Sequence, residues 1–286
     1  MTQSVAASIH AAVWGHDWSP EGIEPALADA AALGYRHVVV PLRRFADIQP
    51  APLAAAFARH GLVPLNTCGL SPDRDIGDAD AVVRDRGVAH LRAAIALARD
   101  MGSPQIGGVL YGPIHKAARP LPDDAFRRAA ESMHAVAGHA AEAGVRLALE
   151  VVNRYETPLL YNTRRGLAFL EAVAHDNVFL HLDTFHMSID ESNPFDALAA
   201  SLPRLAYFEL DQSHRGAAVD GTLDLTAWAR EAARLGYRGI VGVEAFSRQM
   251  LAPDHADALA VWEERFQSGR AVAEGFMRVI RNGWPA

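Results

Sequence analysis

Residues 143–150 read AGVRLALE, which places a glycine directly after a helix-like segment, then an apolar run, then a carboxylate. The glycine followed by a strand-like run recurs in 33-LGYRHVVV, 59-RHGLVPL and 235-LGYRGIVGVE. A glycine that closes a helix just before a strand is typical of folds in which helices and strands alternate. Several of these runs are apolar on both faces of the chain, which predicts a parallel sheet covered by helices.

Working outward from this pattern, strand-like and helix-like segments alternate along the whole chain. Eight strands are predicted: Val5–Ile9, His37–Leu42, Val63–Cys68, Gln105–Tyr111, Arg146–Glu150, Val178–Asp183, Leu205–Glu209 and Gly239–Glu244. Helical periodicity lies between them, as in Gly22–Leu33, Ala81–Met101, Asp123–Ala143, Thr163–Val173 and Leu225–Leu235. The order predicts an α/β protein, a single (β/α)₈ TIM barrel spanning residues 1–286 as one domain. An open doubly wound sheet is the alternative, but the first βα turn has no G-x-G-x-x-G motif.

The composition excludes several classes of protein. A net charge of −7 argues against nucleic acid as a partner, because phosphate backbones demand clustered basic side chains. The single cysteine, Cys68, permits neither an internal disulfide nor a cysteine-based zinc site. The N-terminus lacks the pattern of a signal peptide, and no apolar run approaches membrane-spanning length. We therefore expect a soluble, cytoplasmic protein with no membrane partner.

Carboxylates end four consecutive predicted strands, the fifth to the eighth. They are Glu150, Asp183, Glu209 and Glu244, each preceded by apolar residues. For any one of them alone, a chain that is reaching the surface is the preferred explanation. Four in succession at one end of a barrel, on strands about 5 Å apart, would repel one another unless protons or a cation neutralise them. The pattern predicts a divalent cation with oxygen ligands, with Mg²⁺ or Mn²⁺ favoured over zinc.

Further polar and aromatic residues follow the strand ends. His186 is suited to carry a proton or donate a hydrogen bond, and Arg215 to stabilise a developing oxyanion. For His186 an ordinary loop histidine is an equally good interpretation. Trp14, in 13-VWGHDW, has two interpretations: it forms an apolar wall for a sugar-sized ligand, or it packs in the core. Cys68 is interpreted as a small apolar filler at the end of the third strand.

Motifs along nearly the whole chain make it similar to a known group of enzymes. They are 13-VWGHDW, 101-MGSPQIGGVLYGP, 148-ALEVVNRYET, 181-HLDTFHMSIDE, 214-HRG and 241-VGVEAF. The chain resembles the D-tagatose/D-psicose (allulose) 3-epimerase branch of the xylose-isomerase-like TIM barrels. The resemblance implies a cation, often Mn²⁺, bound at positions that include Glu150, Asp183 and Glu244. It implies that the two glutamates form the acid/base pair, that His186, Arg215 and Glu156 contact the sugar, and that the protein is a homodimer or homotetramer.

The chain departs from that family at residue 209. The family places a histidine six residues before the arginine of the R-G turn, and here that position is Glu209. The family glutamate three residues later is replaced by Gln212. Glu209 either takes over as a metal ligand, giving four carboxylates around one ion, or leaves the metal and binds a substrate hydroxyl.

Three functions are consistent with these residues. The leading hypothesis is a metal-dependent epimerase or isomerase of a ketose or related carbohydrate, which removes a proton next to a carbonyl and passes through a cis-enediolate. The second is a metal-dependent lyase or decarboxylase acting on an oxidised sugar acid. Arg43 and Arg44 would there meet a carboxylate, although a surface pair that serves solubility is the favoured interpretation of these two arginines. The third is a non-catalytic sugar-binding barrel, which the presence of both acid/base glutamates disfavours.

Overall fold

The computed structural model describes residues 5–284, and all structural statements below concern that range. Its strands are β1 Ala6–His10, β2 His37–Pro41, β3 Val63–Thr67, β4 Gln105–Gly108, β5 Arg146–Val151, β6 Val178–Asp183, β7 Leu205–Leu210 and β8 Ile240–Val243. Its α-helices are α1 Glu24–Leu33, α2 Pro50–Arg59, α3 Ala81–Asp100, α4 Asp123–Glu142, α5 Thr163–Val173, α6 Thr184–Asp190, α7 Pro194–Ser201, α8 Leu225–Arg234, α9 Pro253–Ala258 and α10 Gly269–Gly283.

The strands follow one another in chain order in a closed parallel barrel with interleaved helices. The predicted (β/α)₈ TIM barrel is therefore confirmed, while its extent as one domain over residues 1–286 stays a prediction. The opening motif behaves as expected, because Gly144, two residues after the end of α4, has φ +71° and leads into β5. That left-handed conformation favours glycine, which has no Cβ to clash with the backbone.

The fourth strand is shorter than predicted. We predict strand through Tyr111, but β4 ends at Gly108, where φ is +98°. A Cβ at this position would lie 2.6 Å from the backbone oxygen of Cys68. The turn depends on Gly108, because the chain there passes close to the backbone of Cys68 after β3. The residues after Gly108 are apolar, so the sequence gives no sign that the strand has ended.

The chain divides into two compact units. Unit 1 consists of Met1–Val40, Asp47–Pro64 and Tyr207–Ala286. Within it β1 pairs in parallel with β2 and β8, and β7 pairs with β8. Helix α10 packs against α1 and α8 and buries Phe276 and Ala273 completely. Its apolar positions face these neighbours at the helical period, as expected for an amphipathic surface helix.

Unit 2 consists of Pro41–Ala46 and Leu65–Ala206. Within it β3, β4, β5 and β6 pair in parallel in that order. Helix α4 packs against α3 and α5, and Met133 and Val136 on α4 are fully buried. Side-chain caps define several helix starts in this unit; for example, the carboxylate of Asp80 accepts from the backbone N–H of Val82 at the start of α3.

Among residues 5–284, no helix combines the length and apolar character needed to cross a membrane.

Candidate active site

In unit 2, two adjacent strands place acidic and imidazole groups side by side. Glu150 on β5 is the register partner of His181 on β6, and Asp183 ends β6. Because side chains alternate along a strand, His181 and Asp183 lie on the same face. The Glu150 carboxylate lies 3.9 Å from the His181 ring, measured from Oε2 to Nδ1. His181 is not among the predicted site residues, although its spacing of two residues from Asp183 points to the same face.

The loop after β5 determines which ring nitrogen of His186 carries the proton. The backbone N–H of Asn153 donates to Nδ1 of His186 at 3.2 Å, and the Asn153 side-chain amide lies 2.9 Å from the same atom. A ring nitrogen that accepts a backbone N–H carries no proton, so the neutral ring carries its proton on Nε2. Nε2 in turn lies 3.5 Å from Glu150 Oε1 and 3.7 Å from Asp183 Oδ2. His186 is therefore a hydrogen-bond donor facing two carboxylates.

These groups form a candidate metal site. Glu150, Asp183 and His186 each offer a ligand atom, and the three atoms lie within 4.8 Å of one another. In the tautomer set by Asn153, Nε2 of His186 has no free lone pair, so the carboxylate oxygens are the available ligands. Asp183 is completely buried and uses its other oxygen, Oδ1, to cap α6 at the N–H of Phe185. Oxygen ligands in a buried setting fit a hard divalent cation.

Glu156 lies at the edge of this group. Its carboxylate accepts from the Asn153 side-chain amide at 2.9 Å and lies 3.9 Å from His186 Nδ1. The buried Asn153 therefore connects Glu156 to His186, and it is a site residue that our sequence prediction omitted. It lies within the quoted N-R-Y-E-T motif, but only the folded loop shows that its backbone N–H selects the tautomer.

In unit 1, Glu209 lies near the C-terminal end of β7. It is buried, and the Tyr207 hydroxyl two residues earlier lies 3.5 Å from its Oε1 and 3.1 Å from the Ser8 hydroxyl on β1. Burial, followed by the Glu209 charge, raises the pKa of Tyr207 well above its ordinary value, so the phenol stays protonated. Gly242 is the register partner of Glu209 on β8, and a Cβ there would overlap the Tyr207 ring.

Glu244, just after β8, is close to three polar groups of the same unit. One of its oxygens lies within 4.8 Å of an oxygen of Glu209. Its Oε1 lies 3.5 Å from Nε2 of His10 at the end of β1, and its Oε2 forms an ion pair with Arg215. Glu209, Glu244 and Arg215, three of the predicted site residues, thus lie together in unit 1. His10 was among several histidines after strand ends that the sequence did not distinguish.

Gln212, which stands where the family has a glutamate, has a structural role. Its amide nitrogen donates to the carbonyls of Ala218 and Leu223 at 3.0 Å. Its amide oxygen accepts from the N–H groups of Ser213 and Leu223 at 2.8 Å. A carboxylate could not make the two donations, so the amide suits a side chain that closes the 212–223 loop.

Trp14 packs between two helices of unit 1. Its indole N–H donates to Asp29 on α1 at 3.0 Å, and its ring lies against Gly269 at the start of α10. These contacts fit the packing interpretation of Trp14, and its contact with a sugar stays a prediction.

Cys68 lies directly after β3 in a small cluster of unit 2. Its thiol is 3.5 Å from Nε2 of His90, whose Nδ1 accepts from Arg74 at 2.9 Å and whose ring stacks on Phe45. Burial raises the pKa of Cys68 to about 12, which keeps the thiol neutral. This agrees with the interpretation of Cys68 as a small apolar filler.

Comparisons with known proteins agree with this picture. A family model described as xylose isomerase-like TIM barrel matches residues 27–268. The L-ribulose 3-epimerase of Methylomonas sp. (strain DH-1) is 32% identical over 272 residues, covering 95% of this chain and 95% of that protein. The ketose 3-epimerase of Arthrobacter globiformis is 31% identical, covering 94% of each chain. The crystal structure of D-allulose 3-epimerase from Methylomonas sp. in complex with D-allulose matches with a TM-score of 0.94 and 30% identity, covering 99% of this chain and 98% of that one.

Proposed function

Because the chain belongs to the xylose isomerase-like TIM-barrel family, we propose that it is a divalent-metal-dependent ketose 3-epimerase. The observation that carries the proposal is the grouping of the half-buried Glu150 and the buried Asp183 with a donating, buried His186. It occurs on a chain that matches named ketose 3-epimerases over nearly its whole length. The substrate class is a ketose with a free carbonyl next to the carbon that is inverted.

The proposed ligands are the four strand-end carboxylates. Glu150, Asp183 and Glu209 lie on β5, β6 and β7 at or near their C-terminal ends, and Glu244 directly follows β8. These four strands are consecutive in the closed barrel. An all-oxygen set suits Mn²⁺ or Mg²⁺. When bound, such an ion polarises the ketose carbonyl and the adjacent hydroxyl, which acidifies the C–H between them.

The chain's own residues would then move the proton. One of Glu150 and Glu244 removes the proton from the reacting carbon, which gives a cis-enediolate, and the other returns a proton to the opposite face. His186 donates Nε2–H to a substrate oxygen, and Arg215 places its guanidinium where negative charge develops on oxygen. Glu156, tied to Asn153, binds a hydroxyl at the same end of the sugar. We also propose that the protein works as a homodimer or homotetramer, as the resemblance implies.

The decisive experiment measures the exchange of a carbon-bound proton of the sugar for deuterium from the solvent. Purified protein is incubated in D₂O with a panel of ketopentoses and ketohexoses, with Mn²⁺, with Mg²⁺ and after treatment with a chelator. We expect metal-dependent appearance of the C3 epimer with one carbon-bound deuterium, detected by NMR and mass spectrometry. A product that has lost CO₂ or a leaving group contradicts epimerisation and points to a lyase or decarboxylase. Absence of exchange across the panel, in protein shown to contain metal, contradicts the proposal as a whole.

A further inference from the structure

Asp211 is a fully buried carboxylate that neither the acid/base pair nor the proposed metal ligands include. It lies one residue beyond β7 and continues the alternation of Tyr207 and Glu209, so it belongs to the same face. A buried carboxylate is costly unless a specific partner compensates for the lost hydration. The partner here is Arg215, whose Nε donates to Asp211 Oδ2 at 2.8 Å.

The backbone around Arg215 is arranged for this contact. Arg215 has φ +56°, a left-handed conformation that is uncommon for residues other than glycine. Two backbone hydrogen bonds hold it there, because its N–H donates to Gln212 at 2.7 Å and its carbonyl accepts from Phe246 at 2.6 Å. Such strain persists only where the surrounding structure compensates for it, which is frequent at functional sites.

The guanidinium of Arg215 is contacted on three sides. Its Nε edge meets Asp211, one terminal nitrogen forms an ion pair with Glu244, and its plane lies over the Phe246 ring with 4.7 Å between Cζ and the ring centroid. Carboxylates on two edges and an aromatic ring on the face define both the position and the rotation of the group.

We propose that Asp211 is a positioning residue that holds Arg215 in the orientation in which it contacts Glu244 through one terminal nitrogen. This inference rests on the proposed function, because Glu244 is there an acid/base residue and Arg215 an oxyanion donor. With Asp211 holding the Nε edge, the guanidinium cannot turn that edge toward Glu244 and presents a terminal nitrogen to it instead. Arg215 thus contacts Oε2 of Glu244, while Oε1 lies 3.5 Å from Nε2 of His10.

Loss of Asp211 should therefore affect turnover more than substrate affinity. We expect Asp211→Asn, which retains an oxygen acceptor, to lower kcat by about tenfold, and Asp211→Ala to lower it by about a hundredfold, within the range for an oriented oxyanion donor. KM for the ketose should change by less than about threefold, since the change acts on groups used in the transition state. The matched control is Asp124→Asn, which removes an exposed carboxylate that pairs with Arg128 on α4 and should leave both constants unchanged.

A double-mutant cycle separates positioning from general destabilisation. If Asp211 acts through Arg215, then Asp211→Ala should have no further effect on kcat in an Arg215→Met background. An equal loss in both backgrounds would overturn the inference. Thermal unfolding of each variant shows whether it is folded at the assay temperature. If Asp211→Ala is unfolded there, the cycle is measured with Asp211→Asn instead.

A spectroscopic readout tests the contact without any activity. In ¹⁵N-labelled protein, a slowly exchanging Nε–H resonance should disappear in Arg215→Met and shift in Asp211→Asn. An unchanged resonance in Asp211→Asn contradicts the inference. If the wild-type protein exchanges no proton with any ketose, the proposed function fails, and this resonance still decides whether Asp211 holds Arg215.

Discussion

Nε2 of His186 lies 3.5 Å from Oε1 of Glu150, and the hydrogen bond from the Asn153 backbone to Nδ1 makes Nε2 the protonated nitrogen. Glu150 thus has a neutral donor beside it, while Glu244 has the permanently charged Arg215. The two proposed acid/base carboxylates have different neighbours, as expected for groups that exchange protons at opposite faces of one carbon.

Substitution of these two glutamates should have asymmetric effects. Glu150→Gln and Glu244→Gln should each lower kcat for epimerisation by about 10²–10⁴-fold, since each removes one proton carrier. Each variant should still exchange the C3 proton of one epimer, the one whose proton faces the remaining glutamate. The measurement is deuterium incorporation into each pure epimer, followed by NMR.

The control for these variants is Glu142→Gln at the exposed end of α4. It should exchange both epimers at the wild-type rate. Symmetric loss of exchange from both epimers in Glu150→Gln and in Glu244→Gln, with metal still bound, would contradict a two-base mechanism.

Residue 209 should set the preference among metal ions. Because Glu209 is a proposed ligand, Glu209→Ala should weaken Mn²⁺ binding at least about tenfold, the lower end of what loss of a supporting residue costs. Glu209→His should retain binding and shift the preference from Mg²⁺ toward ions that favour imidazole, such as Co²⁺ or Ni²⁺. Titration calorimetry with each ion measures both effects. If Glu209→Ala binds Mn²⁺ as tightly as the wild type and as Glu142→Ala, then Glu209 is not a ligand and a role toward a substrate hydroxyl is favoured.

Metal removal should lower thermal stability as well as activity. An ion present at about 100 times its Kd stabilises the folded state by about 2.7 kcal/mol. For a chain of this size that corresponds to about 5–10 °C in Tm. Calorimetric scans before and after chelation, with Mn²⁺ or Mg²⁺ then added back, check this expectation. An unchanged Tm in protein that analysis shows to have lost its metal contradicts a buried site.

His90 should make the fold less stable in mild acid. Burial, and then the adjacent Arg74, lower the pKa of His90 in the folded state below its ordinary value of 6.5. The unfolded chain therefore binds the proton more readily, so the free energy of unfolding falls as pH drops below about 6.5. His90→Gln should reduce the loss of stability between pH 7.5 and 5.5, measured by urea unfolding at both values. His139→Gln on α4 is the control, and an equal reduction in that variant would show that His90 is not the source.

The sequence predicted most of the strands because each apolar run ends in a visible marker. Val178–Asp183 and Thr163–Val173 were predicted with the bounds that the structure has, since a carboxylate ends the strand and a change of period bounds the helix. The end of β4 was missed because its turn depends on the space around Gly108 rather than on a polar residue.

The residues of the candidate site that are easiest to predict are those that a strand carries directly. Glu150, Asp183 and Glu209 lie at strand ends, so spacing along the chain locates them. The roles of Asn153 and Asp211 depend on folded loops, because one selects a histidine tautomer through its backbone and the other meets an arginine in a left-handed conformation. No periodicity in the sequence encodes either contact.

Gly242 carries no reactive group, yet its lack of a side chain leaves the space that the Tyr207 ring fills beside Glu209. A methyl group added at Gly242 would displace the Tyr207 ring and move its hydroxyl away from Ser8 and Glu209. No acidic or basic side chain would have been replaced. Variation at Gly242 is therefore limited by packing, although the residue takes no part in proton transfer or metal binding.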